Sequence, residues 1–220
     1  LGAHWLHAGA ATPFPGLARG LGVALRVQDD EDSLWVGRRR AGEDELDTFS
    51  QAVEAFALDI QEAGRQGIDV AAKEMLPRGL GPLADVVAFA VGPNDCGKDL
   101  DHVSTLDFAR SREGTDHLFA GGYGSFLARL AEGLPISTGV AVSRIDRSGA
   151  RVVLDTSAGR IEAGAVIVTA ATDVLARGAI RFDPPLPPDQ EDALVGLSLG
   201  VYERVILEIP GNPFRFRDDE

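Results

Sequence analysis

Between Val140 and Ala170 the chain alternates short apolar runs with glycine turns, and no other stretch restricts its fold as much. Val140 to Arg147, Arg151 to Thr156 and Arg160 to Glu162 are separated by Ser148-Gly149 and Ala158-Gly159, which suit tight connections between antiparallel strands. A three-stranded meander is expected. Directly after it, Ala165-Val166-Ile167-Val168-Thr169-Ala170 is a continuous apolar run, the mark of a strand buried on both faces of a parallel sheet. The meander is therefore expected to hang off an α/β layer.

The rest of the chain supplies helices and loops around that layer. Leu1 to Leu25 carries too many glycines and prolines for a long helix and reads as loop with short elements. Val23 to Val27 and Ser33 to Val36 flank Asp29-Asp30-Glu31-Asp32, a spacing that predicts a hairpin with an acidic tip. Phe49, Val53, Phe56, Ala57 and Ile60 recur at helical spacing behind Asp47 or Thr48, so a helix is expected to run to about Gln66. Pro82 to Val91 predicts a second helix, closed by Gly92-Pro93. Ser125 to Ala131 predicts a short amphipathic helix after Gly121-Gly122-Tyr123-Gly124. Beyond the apolar run, Thr172-Asp173 caps a short helix, Pro188 starts another, and Val201, Val205, Leu207 and Ile209 mark a final strand.

At 220 residues, 45% apolar and 25% charged, the composition is that of a soluble globular chain able to bury a core without staples, and Cys96, the lone cysteine, forbids an internal disulfide. A formal net charge of -13 repels nucleic acid and anionic lipid over a Debye length of about 8 Å. The same charge draws in a cationic substrate, or serves only as a solubilising surface. No run approaches the roughly 18 apolar residues of a membrane span. The opening at Leu1, without methionine, and the loop-like end after Pro210-Gly211-Asn212-Pro213 predict a fragment.

Familiar catalytic signatures are missing. Gly121-Gly122-Tyr123-Gly124 has no following Lys-Ser or Lys-Thr, so it is not a nucleoside-triphosphate loop. His4 and His7 lack partners at metal-ligand spacing. No Gly-x-Ser-x-Gly elbow occurs, and Cys96 has no second cysteine for redox work.

Four blocks, in order along the chain, carry a resemblance. Leu1-Gly2-Ala3-His4-Trp5-Leu6-His7-Ala8-Gly9 resembles the Gly-Ala-x-Trp-Ile-His segment of the flavin-containing amine oxidases, especially their polyamine-oxidase-like branch. Asp116 to Gly124, followed by Leu127, Leu130 and Ala131, resembles that family's Gly-Gly-Tyr stretch. Ile136 through Val142, Ile145 and Asp146 is similar to its adenine-side strand. Ala165 to Thr169, through Leu175 and Gly178 to Pro187, is similar to its most recognisable block.

The resemblance implies a mixed α/β and α+β fold: part of a Rossmann-like FAD-binding domain with a β-meander, and an inserted substrate domain of mixed sheet and helix. Residues 1–8 and 116–177 would be flavin-domain pieces, and residues 9–115 and 178–220 substrate-domain pieces. It implies oxidation of a primary or secondary amine with FAD as cofactor and oxygen as acceptor. Gly2, Ala3 and His4 would lie along the flavin, Val142 at its adenine end, and Thr169 and Ala170 at its border. His7 sits where polyamine-oxidase-like members place a pocket histidine; the alternative is a ring satisfied by backbone at a loop. Trp5 either walls the pocket or only packs.

Two features depart from the family pattern. Arg204 stands where the family usually has a lysine holding a water near flavin N5, and arginine, always charged and planar, does not substitute conservatively. By strand alternation Arg204 shares a face with Glu208, so a surface ion pair is the competing assignment. No Gly-x-Gly-x-x-Gly fingerprint occurs in the sequence, so the chain alone is expected to bind FAD weakly. Other readings are an amino-acid oxidase or desaturase of the same superfamily, or a non-catalytic remnant serving as an interaction module. Oligomeric state and compartment are left open.

Overall fold

The computed structural model describes residues 5–27, 34–111, 114–203, 205 and 208–211. The chain forms two compact units, residues 1–133 with 201–220, and residues 134–200.

The first unit holds two apolar clusters. One is built on α2 (Glu43–Arg65), whose Phe56 and Ile60 are fully buried with Ala72, Val87, Val91 and Leu100. The helix starts earlier than the Asp47 or Thr48 cap predicts. Gly42 donates its N–H to Glu45 Oε2 at 2.9 Å, and Arg39 grips the same carboxylate at 2.6 and 2.7 Å. That acceptor satisfies a first-turn amide, and Glu43, Asp44 and Glu45 complement the helix dipole, so the start moves upstream.

Near its other end α2 crosses α4 (Thr105–Phe108) closely. A Cβ on Gly64 would stand 2.1 Å from the Thr105 carbonyl oxygen, so glycine is what permits the approach. Thr105 is completely buried and its hydroxyl is satisfied, donating to the Ile68 carbonyl at 2.7 Å and accepting from the Val70 N–H at 3.1 Å.

The second predicted helix is observed as α3 (Ala84–Phe89), but it is not closed at Gly92-Pro93. It widens into a π-helical turn over Ala90–Cys96 that contains Pro93 and stops at Gly97 with φ 66°. Proline has no N–H for the i→i−4 ladder, so the wider turn accommodates it.

The second cluster joins α1 (Phe14–Gly20), β1 (Leu25–Val27), β4 (His117–Phe119) and α5 (Tyr123–Leu130). Leu6, Ala18, Phe119 and Phe126 are its buried members, and the Phe119 and Phe126 rings stack at 4.3 Å. Among the described residues the two arms of the predicted acidic hairpin do not pair with each other. β1 pairs antiparallel with β4, Leu25 opposite Phe119, while β2 (Trp35–Val36) pairs with β3 (Arg39–Arg40). Pairing with β4 places Leu25 on the aromatic cluster, burial that a two-stranded hairpin does not supply. The acidic tip itself lies outside the described residues.

In the second unit the meander is as expected: β5 (Val142–Asp146), β6 (Val152–Thr156) and β7 (Gly159–Ala163) pair antiparallel in sequence order. β8 (Arg181–Asp183) adds to β5 in parallel, giving the order β7-β6-β5-β8. Arg144 on β5 gathers Asp146, Asp155 and Asp183, which ties three of the four strands. The short helices α6 (Thr172–Ala176) and α7 (Pro188–Gly196) form where expected, α7 with Pro188 in its first turn, but the N-cap of α6 is Ala171 without a side-chain cap, because the Thr172 hydroxyl donates to the Leu197 carbonyl instead.

The run Ala165 to Ala170 corrects the sequence expectation. It forms no ladder with any described strand, and Ile167 is 90% exposed. An apolar run states a need for burial without naming a partner, and none of the described strands provides one. Of the predicted final strand, Val201, Val205 and Ile209 are exposed and outside any ladder, while Leu207 lies outside the described residues.

Candidate functional site

Leu6 and His117 exchange two backbone hydrogen bonds, Leu6 N–H to the His117 carbonyl at 2.8 Å and His117 N–H to the Leu6 carbonyl at 3.1 Å. Leu6 is buried in the aromatic cluster at 4% exposure, so alternation along the extended segment turns His7 outward. Immediately afterwards the chain bends sharply. Ala8 adopts φ 46°, the left-handed region, while 6% exposed, at a cost of about 1–3 kcal/mol. Gly9 then passes so close to His117 that a Cβ would lie 2.8 Å from its Nδ1.

Asp116 holds this bend. Its Oδ1 accepts the Ala8 N–H at 3.0 Å, and its Oδ2 lies 2.6 Å from His7 Nδ1. The Trp5 ring stands 5.9 Å from the His7 ring at 57°. Asp95, from the π-helical turn, is a further acidic group in electrostatic contact with the pair. Desolvation pushes its carboxyl upward, His7 opposes the shift and Asp116 reinforces it. Asp95 keeps solvent contact as a residue, so the crowding is local to its carboxyl. Its neighbour Cys96 is driven up to about 11, first by desolvation and then by Asp95 and Asp107, which makes it a poor nucleophile at neutral pH.

These groups make a half-open corner: an aromatic wall, an imidazole with one nitrogen fixed and the other facing outward, and two carboxylates that favour a positive guest. Groups of this chemistry are able to accept a hydrogen bond or a proton from an ammonium group. Among the described residues no cluster of His, Cys, Asp or Glu is arranged to hold a metal.

The structure brings Trp5 and His7 together. Val142 is half-buried on β5, opposite Thr156; Thr169 is exposed and Ala170 half-buried; all three belong to the other unit. Gly2, Ala3, His4 and Arg204 lie outside the described residues. Asp116 was missed as a site residue. Its only signal in the sequence is a carboxylate directly before a short strand, and its role depends on a contact 109 residues away. A separate cavity of about 610 Å³ in the second unit, with Leu175, Ile180, Phe182, Leu186 and Leu194 in its wall, has Arg181 and Glu191 as its charged groups and lacks histidine and cysteine.

The family model described as flavin containing amine oxidoreductase matches residues 96–220. The mouse (Mus musculus) protein named lysine-specific histone demethylase 1B is 34% identical over 131 residues, 57% of this chain and 16% of its own length. Polyamine oxidase 3 of Oryza sativa subsp. japonica is 36% identical over 91 residues, 41% of this chain and 19% of its own length. Among solved structures, a putrescine oxidase with putrescine bound superposes with a TM-score of 0.65 at 16% identity, covering 91% of this chain and 53% of that one. Cyclohexylamine oxidase from Brevibacterium oxydans superposes with a TM-score of 0.60 at 18% identity, covering 87% and 51%. The chain thus spans about half the length of these structures, and their agreement bears out the mixed α/β fold class.

Proposed function

The chain belongs to the flavin containing amine oxidoreductase family, and from that premise we propose that it is part of an FAD-dependent enzyme that oxidises a primary or secondary amine, with His7 and Trp5 in the amine pocket. The observation that carries this reading is the His7–Asp116 contact of 2.6 Å beside Trp5, an outward-facing imidazole held by a carboxylate.

The described residues fit part of the family's cofactor. Ala170 and Val142 offer small and apolar half-buried surface, and Thr169 an exposed hydroxyl, suited to bordering a flat ring system. The Gly-x-Gly-x-x-Gly fingerprint whose turn brings a pyrophosphate to a helix N-terminus is not in the sequence. Val142, Thr169 and Ala170 would therefore border FAD without gripping its phosphates, with Gly2, Ala3 and His4 along the flavin as the resemblance implies. The chemistry that bound FAD would supply there is acceptance of a hydride from the carbon next to the amine nitrogen, with oxygen as the final acceptor and hydrogen peroxide as its product.

The chain's own contribution is to select and prepare the amine. A primary or secondary amine arrives mostly as ammonium, and hydride loss needs the neutral nitrogen with its lone pair. The net charge of -13 favours arrival of the cation. Trp5 presents an aromatic surface for the cation and its alkyl chain. His7 takes the ammonium proton on the nitrogen that Asp116 leaves free. Arg204, at the position of the family's lysine, would supply a permanent positive charge beside the reacting centre.

The domain assignment follows the same reading. Residues 1–8 and 116–177 are proposed as flavin-domain pieces and residues 9–115 and 178–220 as substrate-domain pieces. The exchange of hydrogen bonds between Leu6 and His117 supports this, because it joins the two ends of residues 9–115.

The test is peroxide formation by the flavin-loaded protein with a panel of diamines, polyamines and cyclic primary amines. Peroxide at stoichiometry with imine hydrolysis is expected, and His7→Ala should lower turnover about 100-fold with FAD content unchanged. Absence of peroxide with every primary and secondary amine from protein that retains stoichiometric FAD would refute the reading.

A further inference from the structure

The His7–Asp116 pair carries a consequence for where the proton sits. A carboxylate has no hydrogen to donate, so the 2.6 Å contact between Asp116 Oδ2 and His7 Nδ1 requires the imidazole to donate from Nδ1. Its Nε2 is then the nitrogen with a free lone pair, and it has no partner among the described residues. The His7 side chain is 68% exposed, so that atom is reachable.

Asp116 cannot rotate freely to any other arrangement. Its second oxygen accepts the Ala8 N–H at 3.0 Å, and Ala8 is pinned in a left-handed, buried conformation between the Leu6–His117 bridge and Gly9. One carboxylate therefore closes the bend and orients the ring.

We propose that Asp116 is a positioning residue: it holds His7 in the tautomer protonated on Nδ1, so that outward-facing Nε2 takes the proton from a substrate ammonium. This rests on the amine-oxidising function proposed above. In that transfer one N–H bond of the ammonium breaks, a bond from that proton to Nε2 forms, the amine leaves neutral and His7 becomes imidazolium. No electrons change hands. Asp116 stays in contact with the new positive charge, and the Asp95 carboxylate also interacts with His7.

The geometry makes the isosteric variant informative. In Asp116→Asn the side-chain oxygen must stay on the Ala8 N–H, because an amide NH₂ cannot accept that bond. The NH₂ is then left facing His7 Nδ1, which has to accept. The ring proton moves to Nε2, and the outward nitrogen changes from acceptor to donor. A merely structural Asp116 predicts no such inversion, since the bend keeps its hydrogen bond in the Asn variant.

The experiment is long-range ¹H–¹⁵N correlation spectroscopy on the full chain labelled at histidine, recorded over a pH series, with His7 assigned by His7→Gln. The wild type should show an unprotonated Nε2, Asp116→Asn a protonated one, and Asp116→Ala, with both contacts gone, the mixture of an unrestrained ring. In the flavin-loaded protein kcat/KM for the amine should fall about 100-fold in Asp116→Asn, with FAD content unchanged. The same tautomer in wild type and Asp116→Asn overturns the proposal, and so does an inverted tautomer with unchanged kcat/KM. If the wild type oxidises no amine, the functional reading fails while the spectra still decide whether Asp116 sets the proton.

Discussion

Gly64→Ala sets two rules against each other in the frame that supports the site. Helix propensity alone favours alanine over glycine inside α2 by about 1 kcal/mol. The crossing opposes it: the new Cβ would stand 2.1 Å from the Thr105 carbonyl oxygen, 2.5 Å from Ala109 Cβ and 2.8 Å from the Thr105 carbonyl carbon. Ordinary carbon–oxygen contact begins near 3.3 Å, so the helices must part by about 1 Å, and a gap of that size forfeits up to about half of the dispersion attraction across it. Two of the three clashing atoms are backbone, so no rotamer relieves them. Parting also strains the hydrogen bonds of buried Thr105 to Ile68 and Val70, and each one lost costs about 1–3 kcal/mol. Overpacking of about 1–3 kcal/mol plus one lost hydrogen bond, less the propensity gain, gives a net destabilisation of about 1–5 kcal/mol. Trp5 and Trp35, the only tryptophans, both belong to the first unit, so tryptophan fluorescence in a urea titration follows that unit alone. The midpoint should fall with little change in slope. A midpoint equal to or above the wild type would show that α2 and α4 do not meet as closely as described.

Three further outcomes are expected. Glu45 is held down to about 2 from its usual 4.5, first by Arg39 and then by the Gly42 N–H. Because the folded value is depressed, its contribution is fully present above about pH 4.5 and is lost as pH falls towards 2; wild type and Glu45→Gln should therefore differ in unfolding midpoint near pH 6 and converge at acid pH, and a difference that widens on acidification would contradict this. Cys96, raised to about 11, should react with iodoacetamide at pH 8 more slowly than a free thiol of ordinary pKa near 8.5, and an equal rate would remove the desolvation account. For Arg204, exchange to lysine in the flavin-loaded protein should alter the reoxidation rate by oxygen while reduction by amine changes less; identical rates in both half-reactions would assign the guanidinium to a surface pair with Glu208.

What was legible in the sequence is what short-range physics decides. The meander was readable because Ser148-Gly149 and Ala158-Gly159 place each strand against its neighbour within a few residues. The period of Phe49, Val53, Phe56 and Ile60 announced α2, although its start depended on Arg39 and Glu45, a pair that periodicity does not register. The hairpin expected around the acidic tip failed for the complementary reason: Val23 to Val27 is apolar enough to pair locally, but β4 offers it a ladder together with an aromatic core. The run Ala165 to Ala170 shows the same limit from the other side, since its composition records a demand for burial that no described strand meets.

The site combines both kinds of information. That His7 faces outward follows from its neighbour Leu6 being apolar in an extended segment, which a sequence can show. That Nε2 rather than Nδ1 is the nitrogen left without a partner among the described residues follows only from Asp116, which reaches His7 across 109 residues. The same carboxylate that fixes the ring also secures the Ala8 bend, so removing it disturbs packing and chemistry together. The two separate only in Asp116→Asn, where the oxygen on Ala8 is kept and the group facing His7 changes from acceptor to donor. A substitution at Leu6 does the converse, weakening the aromatic anchor while leaving the carboxylate's two contacts in place. If the reasoning holds, Leu6→Ala lowers the stability of the first unit by about 2–5 kcal/mol and leaves the His7 tautomer unchanged, whereas Asp116→Asn inverts the tautomer at small cost in stability.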